Sequence, residues 1–330
     1  MSMRMSGLII GAGLVMVCMA ASIAFGKHPL PLHTAADALF SFDGSREHLI
    51  VRTVRLPRAL TAMAVGACLA MAGTLMQAVT RNALAGPELF GVNQGAALMI
   101  VVNIYLWGRV SFDGYVAFAF AGAAAAGAIV YALASIGRAG RSMPAIRLVL
   151  AGSTVNLLFA SLTQGVLIFD EESLDTMRFW LAGSLTGRSS GLLLQVAPFM
   201  AVGAVLALSL GRQMNLLSLG EETAEGLGQR TAWVKAAALA AVALLAGASV
   251  ALAGPIGFVG LAVPHLTRYL IGADNRWVLP YSALIGAILL LLADLAARFI
   301  VPSQEISAGI VTAALGAPFL LYLAQRREAR

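Results

Sequence analysis

Ten stretches of this chain carry little charge and run long: residues 7–26, 57–80, 91–107, 114–136, 144–168, 192–210, 231–252, 255–271, 278–300 and 307–325. A bilayer crossing takes about 20 mostly apolar residues. The runs are too long and unbroken for the alternating strands of an outer-membrane barrel. A helix, by contrast, satisfies its own backbone hydrogen bonds in lipid. The expected fold is therefore an all-α integral membrane protein, a single polytopic domain over residues 1–330 with about ten transmembrane helices.

Composition agrees. Apolar residues make up 59% of the 330 and charged residues 12%, against roughly 45–50% and about 25% in soluble domains. Such a surplus cannot hide in a water-soluble core, which argues against a soluble enzyme or a disordered chain. The net charge of +6 comes almost wholly from arginine, with Lys27 and Lys235 as the lysines. In a soluble protein that balance would suggest nucleic acid. In a membrane chain it follows from basic loops on the cytoplasmic side, so no nucleic-acid partner is expected.

An even number of spans puts both termini on one side. Arg138, Arg141, Arg147, Arg212, Arg230 and the Arg326-Arg327 pair place that side in the cytoplasm. The expected location is a bacterial inner membrane, crossed many times. The outer arginines Arg46, Arg52, Arg55 and Arg58 run against the charge bias and need their own explanation. Residues 7–26 follow Arg4 with no small-x-small cleavage site leading into a soluble domain, so they read as a retained first helix.

Chemistry-bearing patterns are few. Cys18 and Cys68 both fall inside apolar runs, so neither a disulfide nor a zinc site is indicated. His28, His33 and His48 share the segment 27–56, but without i,i+4 spacing or a Cys or carboxylate partner at ligand spacing. That segment reads as a solvated loop, and no metal site is assigned. Asp294 and Arg298 lie four apart, so they share a helix face and can pair near the outer end. The rival role for Arg298 is an outside binding surface. Arg55-Leu-Pro-Arg58 opens the second span, with Pro57 suited to a first turn. Its arginines either snorkel to lipid phosphates or hold carboxylates of a partner, and the residues alone do not choose. Gly66, Ala70 and Gly73 share one face, and Ala121 to Gly127 is a run of small residues; both suit close helix packing. Asn82, Pro87 and Gly91 stop one helix and start the next. Residues 211–230 are longer than a turn requires and read as two short surface helices broken at Gly220.

Taken together the motifs resemble the permeases of ABC importers for iron–siderophore, haem and vitamin B12, the FecCD or BtuC-like family. The resemblance runs from about residue 52 to 325. It rests on Arg55-Leu-Pro-Arg58, Gly66, Gln77, Arg81-Asn82, Leu84, Pro87 and Gly91, on Leu219 to Gly228, on Gly254 to His265 with Arg268, and on Asp294, Arg298, Glu305, Gly309, Thr312 and Gly316-Ala-Pro318. It implies a type II importer fold with ten helices per subunit. It also implies a homo- or heterodimer of permeases, two cytoplasmic ATP-binding subunits and an extracytoplasmic substrate-binding protein. This chain would then be no enzyme; it would hold no cofactor, and its partner would use the ATP. By the same resemblance Arg55, Arg58 and Arg298 dock the binding protein. Leu219, Gly220, Glu221, Glu222, Ala224, Leu227 and Gly228 couple to the ATPase, and Asn82 and Leu84 form the cytoplasmic gate. The chain departs from the family with Ala83 and Ser307 where prolines are usual, the second in Ser307-Ala308-Gly309 for Pro-Val-Gly, which softens the turn or helix start locally. Phe179 to Arg188 is similar to the siderophore branch, making a ferric siderophore the expected cargo. Haem or cobalamin is the alternative within the family, and a secondary carrier or channel the alternative outside it.

Overall fold

The order of the helices follows the apolar runs closely. The computed structural model describes residues 2–26, 30–108, 112–136, 144–169, 177, 180–301 and 305–328. Within them lie α1 (Ser2–Ala24), α2 (Leu32–Phe40), α3 (Arg46–Ile50), α4 (Leu56–Thr80), α5 (Val92–Trp107), α6 (Phe112–Ser135) and α7 (Ala145–Leu167). Then come α8 (Ser190–Ser209), α9 (Gly211–Ser218), α10 (Glu221–Gly226), α11 (Thr231–Ala253), α12 (Val259–Ile271), α13 (Asn275–Ala297) and α14 (Ala308–Glu328). Each of the ten expected spans is a helix, and among the described residues there is no strand. Among the described residues, seven helical stretches are long and apolar enough to cross a membrane; α5 and residues 308–319 of α14 are shorter apolar helices. Lys27, His28, Arg109, Arg138, Arg141, Arg178 and Phe179 lie outside the described residues, as do the side chains of Arg326 and Arg327, whereas His33 is exposed near the start of α2.

The expected solvated loop 27–56 is largely helical instead. Ser45 caps α3 by accepting a hydrogen bond from the His48 amide at 3.3 Å. His48 itself is buried and paired with Asp43 at 2.8 Å. The helix then runs through a π-turn at Val51–Arg55 into α4. Pro57 has no N–H to give the ladder. The turn before it widens, so that the Leu56 amide reaches Val51. Proline thus shifts the helix here without ending it, and the continuous stretch is Arg46–Thr80.

α4 is the central post. It is buried along most of its length and packs against α13, α11, α12 and α8. Small residues permit this. A Cβ on Gly66 would strike the Gly286 carbonyl, and one on Gly73 the Gly260 backbone. Gly95 and Gly122 bring α5 and α6 together in the same way.

α12 begins at Val259, later than the run from 255 suggests, because Gly254 and Phe258 both adopt left-handed backbone angles (φ 73° and 74°) around Pro255. At about 1.5 Å per residue, its 13 residues span roughly 20 Å, less than the ~30 Å hydrocarbon core.

Candidate functional site

Two ends of the bundle carry the polar chemistry. At the first, the C-terminus of α1, the start of α4, the end of α13 and the connector before α14 converge on a cleft of about 580 Å³. Arg46, Glu47, Arg55, Arg58, Arg298 and Glu305 line it. Two predicted docking residues at the start of α4, Arg55 and Arg58, are therefore neighbours of the third, Arg298, from the other end of the chain. Their guanidiniums are buried and occupied within the chain. Arg55 Nη1 donates to the Ile23 and Ala24 carbonyls at 2.8 Å each. Arg298 Nη1 donates to the Ser22 carbonyl at 2.7 Å and that of Phe25 at 3.0 Å. Both cations thus cap the C-terminal carbonyls of α1, where a positive charge is favoured. Arg52 does the same for α2, donating to the carbonyls of Ala38 at 2.7 Å and Leu39 at 3.0 Å. Helix capping is therefore one physical reason for an arginine cluster that the charge bias could not explain.

Arg58 differs. Its Nε and Nη2 hold Asp294 at 2.9–3.0 Å, and its Nη1 holds Glu305 Oε2 at 2.7 Å. Asp294 also pairs with Arg298 at 2.6 Å, so the i,i+4 pair expected from sequence exists. The Asp294 side chain has no exposure, whereas that of Glu305 is 30% exposed. Sequence reasoning missed that Asp294 and Glu305 converge on Arg58. The signal available was a carboxylate inside an apolar run, which needs a cation, but nothing local names a partner more than two hundred residues away.

At the opposite end, Arg81 closes α4 in a left-handed conformation (φ 52°). The Asn82 side chain then accepts the Leu84 amide at 3.0 Å, making the turn without the family's proline. Both Asn82 and Leu84 are exposed. Pro87 starts a short 3₁₀ turn that Gly91 ends at φ 78°. Gln77 lies one helical turn before Arg81. Its Nε2 donates to the Leu261 carbonyl at 3.0 Å and its Oε1 accepts from Arg268, tying α4 to α12.

The 211–230 segment forms the two short helices expected, broken at Gly220 (φ 118°). One face is buried through Met214, Leu217 and Ala224, while Leu219 and Leu227 are each 62% exposed. Polar ties fix the segment to the bundle. Asn215 Nδ2 donates to Asp274 Oδ1 at 2.6 Å and its Oδ1 accepts the Asn275 amide at 2.7 Å. Lys235 pairs with Glu221 at 2.9 Å, and Thr231 donates to Glu225 at 2.5 Å. Asp274 caps α13, and its hydrogen bonds from Arg276 and Asn215 hold its carboxyl well below the usual range.

Comparison with known proteins points one way. The FecCD transport family matches residues 14–326. The "Probable siderophore transport system permease protein YfiZ" of Bacillus subtilis is 45% identical, over 95% of this chain and 93% of its own. The "Fe(3+)-citrate import system permease protein YfmD" of the same organism is 46% identical, over 92% of this chain and 90% of its own. A solved metal-chelate type ABC transporter in an inward-facing conformation aligns with a TM-score of 0.83 and 30% identity, covering 97% of this chain and 99% of that one.

Proposed function

From the premise that this chain belongs to the FecCD transport family, as a non-enzymatic, multi-pass membrane permease of an ATP-driven importer whose ATP is hydrolysed by separate subunits, we propose that it imports a ferric siderophore. The observation that carries this reading is 45–46% identity, over nearly the whole chain, to permeases named for siderophore and ferric citrate. The path for cargo lies at the interface between two permease subunits, and the chain itself binds no nucleotide.

Both termini face the cytoplasm in this reading. The Arg58 end is then outside, and its cleft receives carboxylates of the binding protein. Residues 211–230 face the ATP-binding subunits, presenting Leu219 and Leu227 to them. ATP-driven movement of those subunits reaches α11 through Lys235–Glu221 and α13 through Asn215–Asp274. The turn at Asn82 and Leu84 narrows the cytoplasmic mouth. A weakly holding path suits cargo that must be released.

The test is uptake in a deletion strain under iron limitation, with labelled iron on several siderophores, haem and cobalamin, with and without the restored gene. Loss of one ferric siderophore, rescued by the gene, is expected. Loss of haem or cobalamin uptake alone overturns the cargo and keeps the importer.

A further inference from the structure

Three guanidiniums meet two carboxylates in the Arg58 cleft, and they are not equivalent. Arg55 and Arg298 are committed to the end of α1. Asp294 is fully buried between Arg58 and Arg298, so removing it would take away the one carboxylate the two cations share. Of the two carboxylates on Arg58, Glu305 alone reaches solvent. It belongs to no helix. It lies in the connector between α13 and α14, three residues before α14 starts, and Thr186 Oγ1 donates to its Oε2 at 3.4 Å. Backbone also holds this end: the Ile306 amide donates to the Ala297 carbonyl at 3.3 Å, and that of Gly309 to the Gly183 carbonyl at 3.0 Å. α14 then shows an exposed face with Ile310 and Leu315, while Gly316 backs onto Phe258.

We propose that Glu305 is an internal stand-in for the binding protein's carboxylate. It holds Arg58 while the permease is undocked, and its displacement by an incoming carboxylate loosens the start of α14. This rests on the docking reading above and deepens it. Carboxylate-for-carboxylate exchange leaves the charge on Arg58 balanced throughout, so docking needs no uncompensated buried cation. The energy of the exchange is small because Glu305 is partly solvated. What changes is mechanical: the side-chain tie between α4 and the start of α14 is broken when the cleft is filled, with the backbone bonds of Ile306 and Gly309 still in place. Glu305 is in this sense a positioning residue, acting on α14 through Arg58.

The test uses the assembled permease–ATPase complex in proteoliposomes. The probe is the loaded binding protein that stimulates its ATP hydrolysis. Glu305→Gln removes the competitor, so the docking Kd is expected to fall by about threefold or more, while binding-protein stimulation of ATP hydrolysis falls with it. Glu305→Asp, which keeps the charge, should restore both toward wild type and shows that loss of assembly is not the cause. Unchanged or weaker docking by Glu305→Gln overturns the proposal, and so does tighter docking with undiminished stimulation. Arg58→Ala separates the two readings. If it leaves docking intact, the docking site itself is misplaced; if it weakens docking while Glu305→Gln does not tighten it, only the stand-in role fails.

Discussion

Arg58 and Asp294, 236 residues apart in the chain, meet side-on: Nε and Nη2 of the guanidinium lie 2.9–3.0 Å from the carboxylate. The pair joins the beginning of α4 to the end of α13 inside the apolar bundle, with Arg298 closing the other side of the carboxylate.

Neutralising that carboxylate leaves two buried cations facing each other. Asp294→Asn is expected to destabilise the permease by about 3–5 kcal/mol. Fluorescence-detected size exclusion with a thermal ramp in detergent reads this directly. A variant that elutes and melts like wild type would show that the pair does not hold the bundle together.

Gly73 meets the backbone of Gly260, where no side-chain rotation can make room. Gly73→Val should therefore push α4 away from α12, at a cost of about 3 kcal/mol or more. The same substitution at Gly13, which has open space around it, should change the melting temperature little. Equal effects at the two positions would refute the close-approach account.

Leu219 and Leu227 project from a segment whose opposite face is buried. Replacing either with Glu should weaken capture of the ATP-binding subunit by about 30-fold, the size of an interface hot spot near 2 kcal/mol. The melting temperature of the isolated permease should stay near wild type. Retention of the ATPase in a co-purification assay by both variants would remove the segment from the interface.

Asp274 provides the pH test. Its folded-state carboxyl lies below its unfolded value, held there by Arg276 and Asn215. A depressed acid contributes stability above its unfolded pKa of about 4, and that contribution is lost as pH falls towards the folded value. Wild type should thus out-melt Asp274→Asn at pH 7, and the gap should close as the pH drops below about 4. Asparagine can still cap α13, so the difference isolates the charge. A gap independent of pH would mean the cap alone matters.

Much of this architecture is legible in the chain itself because lipid imposes a simple rule of length and polarity. Every apolar run became a helix, and Gly220 broke the surface segment where a residue without Cβ is needed for φ 118°. The Asp294–Arg298 pair was also readable, since four residues make one helical turn. What could not be read was long-range. Nothing beside Arg58 names Glu305, and nothing beside Arg55 says that its donors close α1. The helical content of 27–56 was hidden for a different reason. Histidines, prolines and arginines look like loop residues until His48 finds Asp43 and Arg52 finds the end of α2.

The burial of α4 has a consequence for how the protein is made. Ribosomes extend a chain at about 5–20 residues per second, so the 236 residues between Arg58 and Asp294 take roughly 12–47 s to appear. For most of that interval α4 is in or near the membrane before α11, α12 and α13 have been made, and throughout it carries a cation with no counter-charge from Asp294. Its final position becomes stable only when the last quarter of the chain has been synthesised. Assembly of this bundle is thus closed from the C-terminal side, and a ribosome that stalls before codon 294 leaves the central post without its lock.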